Sequence, residues 1–160
     1  MLILIECIIF CALFTLGVYS LSRNPIASLY NYPPKIQERV RTLEEYKDKI
    51  PTKKNKIFAK FTASVIIIVL ASLVLKYING CNNFLDGFIQ SYIIWTVVNI
   101  YDVVVMDIIW FCHDKHFRFK GTEDMEKEYT NYMFHIGQGI IGQVLGLVLC
   151  CIIGFVVMYI

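Results

Sequence analysis

The chain has 160 residues, is 57% hydrophobic and carries a formal net charge of +2, with a mean hydropathy of +0.57. That apolar share exceeds ordinary soluble usage, and the length fits one domain. The small net charge and the lack of a nucleic-acid pattern give no reason to expect nucleic acid as a partner, and the apolar residues fall in long blocks rather than amphipathic stripes, which makes the lipid bilayer the expected surroundings.

The first block, LILIECIIFCALFTLGVYSLS, covers about residues 2–22. It has no basic stretch before it and no A-x-A site after it, and its run is long for a cleaved leader, so it reads as a retained anchor. Further blocks lie at about 58–77, 84–112 and 136–160. A helix needs about 20 residues to cross the hydrocarbon, so four spans are expected, and strand-like alternation is absent. The expected fold is therefore all-α: a single four-helix transmembrane domain over residues 1–160, with polar loops at 23–57 and 113–135.

Lysine and arginine set the orientation. Residues 23–60 hold ten (Arg23, Lys35, Arg39, Arg41, Lys47, Lys49, Lys53, Lys54, Lys56, Lys60), residues 113–135 hold Lys115, Arg118, Lys120 and Lys127, and the link between the second and third spans has only Lys76. The positive-inside rule places both long loops in the cytoplasm and both termini outside a cell (plasma) membrane. The basic residues of the loops suit anionic lipid head groups.

Within the first loop, NYPPKIQERVRTLEEYKDKIP reads as a short amphipathic helix started by Pro34 and stopped by Pro51. It either lies on the inner membrane surface or packs on the bundle as a lid. In the second loop Thr122 is the expected N-cap of a helix with Glu123 and Asp124 in its first turn, running on toward the fourth span. The six cysteines (Cys7, Cys11, Cys81, Cys112, Cys150, Cys151) form no C-x-x-C pattern and read as structural.

The third span, IIWTVVNIYDVVVMDIIWFCHDKH, carries the unusual residues. An acid within a span costs about 2.5–3.5 kcal/mol on insertion scales, so it faces protein or water. With Trp110 and His113 as inner boundary, a rise of about 1.5 Å per residue puts Asp107 about 9 Å deep, Asp102 about 16 Å and Asn99 about 21 Å. On an α-helix Trp95, Asn99, Asp102, Met106, Trp110 and His113 share a stripe, and Asp107 stands about 140° from Asp102. Asn99 is one turn from Asp102 and able to hydrogen-bond it; the alternative is that Asn99 and Asp102 are polar glue between helices. No basic residue occurs at Asp102's depth. Glu6 lies near the outer end of the first span and is expected to snorkel outward.

The fourth span repeats small residues at Gly142, Gly146, Cys150 and Gly154, a ridge that lets another helix approach closely, either the third span or a second copy. His113 and His116 are weak metal candidates; no metal site is expected from them and no cofactor is indicated.

NIYDVVVMDIIWF followed by GTEDMEKEYTNYMFH resembles a family of uncharacterised bacterial four-helix integral membrane proteins, whose members often read N-x-x-D-x-x-x-x-D-W, then P-G-T-E-G-M, then Y-x-F-H-F. Asn99, Asp102, Asp107, Gly121, Thr122, Glu123, Met125, Tyr132, Phe134 and His135 match; Trp110 is displaced, Lys120 replaces the proline and Asp124 a glycine. The resemblance covers about residues 95–137 and implies that these positions belong together near the inner face. It carries no activity.

The expectation is a pocket opening inward, with Trp95, Asn99, Asp102, Asp107 and Trp110 binding a small cation or cationic substrate. Such a short chain is expected to act as a homo-oligomer or with a membrane partner. An alternative is a membrane enzyme acting on a lipid or prenyl head group, with Asp107, Glu123 and His135 as catalytic candidates. A third reading is a structural or regulatory subunit.

Overall fold

The computed structural model describes residues 2–160, apart from the side chains of residues 53–56, 59 and 60. Among the described residues there is no strand. The helices are α1 (Leu2–Ser22), α2 (Pro34–Thr42), α3 (Glu44–Lys47), α4 (Lys53–Tyr77), α5 (Phe84–Phe111), α6 (Glu126–Tyr129) and α7 (Tyr132–Tyr159), with 3-10 turns at Pro25–Asn31, Lys115–Phe117 and Glu123–Met125. Three of them, α1, α5 and α7, are long and apolar enough to cross a membrane, and the apolar stretch of α4, Phe61–Tyr77, is shorter. Large apolar side chains such as Leu4, Ile8, Phe61, Ile140 and Val144 stand exposed along these helices, a surface that suits hydrocarbon rather than water.

The long helices start where side chains can replace missing intrahelical partners. Asn83 Oδ1 accepts from Asp86 N at 2.9 Å ahead of α5, and Asn131 Oδ1 accepts from Phe134 N at 3.2 Å ahead of α7. That second cap also separates α6 from α7, so the expected continuation of the loop helix into the last span does not occur. Thr122 precedes a 3-10 turn without capping it; its hydroxyl donates to Phe119 O at 2.7 Å instead.

The tightest packing joins α5 to α7, because glycines on α7 remove the side chains that would hold the helices apart. A Cβ at Gly146 would overlap the Trp95 indole, one at Gly142 would stand 2.9 Å from Asn99 Oδ1, and one at Gly154 would stand 2.9 Å from Phe84 O. Cys150 is buried in the same row. The small-residue ridge thus seats α5 of the same chain. Around this pair, α4 packs on α7 and α5, and α1 on α5.

The two polar loops fold together into a cap. Leu29, Tyr32, Ile36 and Val40 from the first loop and Phe117, Phe119 and Tyr129 from the second are buried with Phe111 and Cys112 at the end of α5. Tyr32 meets Phe111, Phe119 and Tyr129 at centroid distances of 4.9, 5.0 and 6.1 Å. Burying each aliphatic side chain is worth about 1.5–3 kcal/mol. The pairs Lys35–Glu128 (2.6 Å) and Arg39–Asp124 (2.9 Å) are exposed and screened by solvent, so apolar burial decides this interface. The amphipathic segment is therefore a lid on the bundle: its apolar face, Ile36 and Val40, is turned into protein.

At the opposite end Glu6 is buried rather than reaching outward. Asn79 Nδ2 donates to Glu6 Oε2 at 3.1 Å and to Gln90 Oε1 at 2.9 Å, which holds the carboxylate inside the bundle. All six cysteines are unpaired thiols, and Cys81 is buried.

Candidate functional site

The site is built on an irregularity of α5. From Asp102 to Phe111 the turn widens to π geometry, with Cys112 N donating to Asp107 O, five residues back, at 3.0 Å. Such π turns are rare and concentrate at functional positions. Here the wider turn brings Asp102 and Asp107, five residues apart, to one cavity. The separation of about 140° expected for a regular α-helix does not hold where the helix is no longer regular.

Two cavities meet at Asp102. The larger, about 600 Å³, lies between α1, α4, α5 and α7 and is lined almost wholly by apolar side chains, with Ser91, Trp95, Asn99 and Asp102 as its polar or amphipathic exceptions. The smaller, about 270 Å³, lies toward the cap and is lined by Asp102, Asp107, Tyr32, His135 and Gln138 among others. Phe14, Val18, Leu21 and Asp102 border both.

Within the smaller cavity, His135 Nδ1 lies 3.1 Å from Asp107 Oδ2, with the imidazole almost wholly buried and the carboxylate partly open. The carboxylate accepts from Nδ1, which leaves Nε2 as the atom available for other chemistry. His135 Nε2 has no hydrogen-bond partner, nor has the buried Tyr32 hydroxyl. Burial raises the Tyr32 phenol above its ordinary range, so the group stays a neutral donor. Among the described residues the Asp102 carboxylate has no hydrogen-bond or ion-pair partner either, and it faces both cavities. His135 lines the same chamber as Asp102 and is paired with Asp107.

Asn99 does not bond Asp102. Its Nδ2 donates to Gly139 O and Gln143 Oε1, both at 3.0 Å, and Gln143 Nε2 donates to Thr96 Oγ1 at 2.8 Å. Trp95 Nε1 donates to Gly142 O at 3.3 Å. Both side chains border the larger cavity while holding α5 against α7, because the glycine row leaves carbonyls within their reach. The amide is thus helix glue at the rim of the site.

The remaining candidates stand apart. Trp110 stacks on Tyr19 and donates to Asp114 Oδ2 at 2.8 Å. Glu123 is exposed, and its Oε1 accepts from Gly121 N at 2.9 Å, a bond that lowers its pKa from the ordinary value. His113 Nδ1 lies against the carbonyls of Ile108 and Ile109, and His116 pairs with Asp114 at 3.0 Å. Among the described residues no three His, Cys, Asp or Glu side chains converge in a metal-binding group.

Sequence reasoning missed Tyr32 and Gln138 as cavity residues. Tyr32 reaches the site only because the first loop folds over the end of α5, a long-range contact with no local signal. Arg118 was also passed over. Its guanidinium donates to Phe111 O (3.0 Å) and Cys112 O (2.7 Å), pairs with Glu126 at 2.9 Å, and lies 4.2 Å above the Tyr129 ring. It ties the cap to the carbonyls at the end of the π turn, groups that a helix terminus leaves unpaired.

No family model, curated protein or solved structure matches this chain.

Proposed function

We propose that the chain is a multi-pass plasma-membrane protein of four spans, with α4 as the fourth. Its termini lie outside, its cap lies in the cytoplasm, and its intramembrane acidic site binds a small cation or cationic substrate. The observation that carries this reading is the Asp102 carboxylate, which faces two cavities and has no protein partner among the described residues. A charged acid in apolar surroundings is tolerated only when something offsets its desolvation, and a cationic ligand does so. Asp102 supplies the counter-charge, Asn99 and Trp95 hold the wall behind it, and Asp107 with His135 forms the polar chamber next to it. Four-span topology, cytoplasmic orientation and kinship with the bacterial family resembled by residues 95–137 belong to the same proposal. So does assembly with a second copy or a membrane partner.

The test is binding of alkylammonium ions to protein held in phosphatidylcholine nanodiscs. Ethylammonium and dodecylammonium are each titrated against wild type and Asp102→Asn. The reading expects a saturable isotherm with at least one of them and a loss of tenfold or more in the variant. Equal binding by both proteins overturns it.

A second reading, a membrane enzyme acting on a lipid or prenyl head group, is favoured by one observation, the Asp107–His135 pair, whose Nε2 is left without a hydrogen-bond partner. A carboxylate-oriented imidazole is a general acid–base device. Glu123 lies on the exposed face of the cap, so in this reading the pair acts without it. Turnover of a lipid substrate lost in His135→Ala and kept in Asp102→Asn would favour the enzyme.

A further inference from the structure

We propose that the two cavities form one composite site for a single-chain amphiphilic amine, its hydrocarbon tail in the larger chamber and its ammonium head at Asp102, entering sideways between α1 and α4. This inference rests on the cation-binding reading and adds the ligand class and the route.

The larger chamber, about 600 Å³ and almost wholly apolar, lies within the range of about 300–1,000 Å³ usual for small-molecule sites. It reaches the molecular surface along one side: Leu13 and Leu21 of α1 and Ile67 of α4 line it and are still 58%, 51% and 49% exposed. The opening follows from the packing, since α1 rests on α5 and α4 on α7 and α5, with α1 and α4 on either side of the chamber. An opening in the apolar belt admits a hydrocarbon chain from the bilayer and gives no advantage to a small hydrated ion.

The second chamber is polar and lies at the other side of Asp102. Two buried polar atoms, His135 Nε2 and Tyr32 Oη, have no partner and belong to residues lining it. Buried polar atoms are normally satisfied, so two unpartnered ones on residues that line one cavity point to a ligand's hydrogen-bonding group beside them. The ionisable residues lining this chamber are Asp102 and Asp107 from α5, His135 from α7, and Tyr30 and Tyr32 from the first loop; α1 contributes none. The charges favour a cationic head, with Asp102 as counter-ion and Tyr32 and His135 as partners for a neighbouring hydroxyl or amide. Neither chamber explains the other alone: the first has a carboxylate at its end and the second an apolar extension.

Gly17 gives a variant that tests the tail. It lines the larger chamber, and a Cβ added there meets nothing within 4 Å. The experiment reads quenching of Trp95 by 12-bromododecylamine in nanodiscs, in a Trp110→Phe background, with dodecylamine, ethylamine and dodecanol as competitors. The inference expects dodecylamine to relieve quenching at least tenfold more effectively than ethylamine or dodecanol. Gly17→Phe and Asp102→Asn should each weaken dodecylamine at least tenfold. If ethylamine competes as well as dodecylamine, or Gly17→Phe has no effect, the composite site is overturned while cation binding at Asp102 stands. If dodecanol equals dodecylamine and Asp102→Asn binds normally, the cation reading falls, and this inference with it. Thermal melting of each variant shows that it remains folded.

Discussion

His135 on α7 and Asp107 on α5 meet across the principal helix seam, Nδ1 to Oδ2 at 3.1 Å, at the point where α5 changes to its wider turn. The contact joins the two most closely packed helices at the edge of the polar chamber. Removing one partner leaves the other with an uncompensated polar group. A double-mutant cycle of His135→Ala and Asp107→Asn is expected to give a coupling energy of about 0.5–3 kcal/mol in thermal or denaturant unfolding, as for residues in direct contact. A coupling near zero would show that the pair is not formed.

The α7 glycines make a graded prediction. Gly154→Ala places a Cβ 2.9 Å from the Phe84 carbonyl oxygen, a backbone atom that cannot swing aside, and Gly146→Ala drives into the Trp95 indole. Overpacking of this kind costs about 1–3 kcal/mol. Gly137→Ala, with nothing within 4 Å, serves as the neutral control. Melting temperatures of the three variants check the order.

Arg118 is predicted to resist conservative replacement. Its planar fork serves two carbonyls and a carboxylate while stacking on Tyr129, and a lysine cannot reproduce that set. Arg118→Lys should loosen the cap, read as faster amide hydrogen exchange in residues 112–131 and 29–40 with the long helices unchanged.

The cap should also respond to pH at both ends of the scale. The carboxyls of Asp114, Glu123 and Glu126 titrate below their ordinary values, held down chiefly by backbone hydrogen bonds at the first two and by Arg118 at Glu126. A lowered folded-state pKa contributes stability that is present above the unfolded value and lost as pH falls through the folded one. Cap stability is thus expected to hold down to about the ordinary values of 4.5 for glutamate and 3.8 for aspartate and to fall below them. Burial raises the Tyr32 and Tyr129 phenols above the ordinary value of 10.0, so their contribution is complete below that pH and lost above it. Phenolate absorbance during an alkaline titration should show two late tyrosines in wild type, removed in Tyr32→Phe and Tyr129→Phe.

The parts legible in the sequence are those with a local signature. The apolar blocks located the long helices, and Gly142, Gly146 and Gly154 announced a close helix approach, although not that α5 would be its occupant. Asp102, Asp107 and His135 were singled out by residue type and depth. Two things were not legible. The π turn changes which residues share a face, and no residue between Asp102 and Phe111 encodes it by type. The cap depends on Tyr32, Phe119 and Tyr129 meeting from separate loops, and pattern reading within either loop sees only half of that core. Those two features explain why the sequence alone sets Asn99 beside Asp102, groups Glu123 with Asp107 and His135, and gives Tyr32 no role.

Native mass spectrometry of gently extracted protein, wild type beside Asp102→Asn, tests the central claim most directly. The account predicts that wild type carries a bound cationic ligand, resolved as a discrete added mass that Asp102→Asn lacks while keeping the same oligomeric state. Identical spectra from the two proteins, with no ligand or with the same one, would contradict it and return the site to a structural role in joining helices.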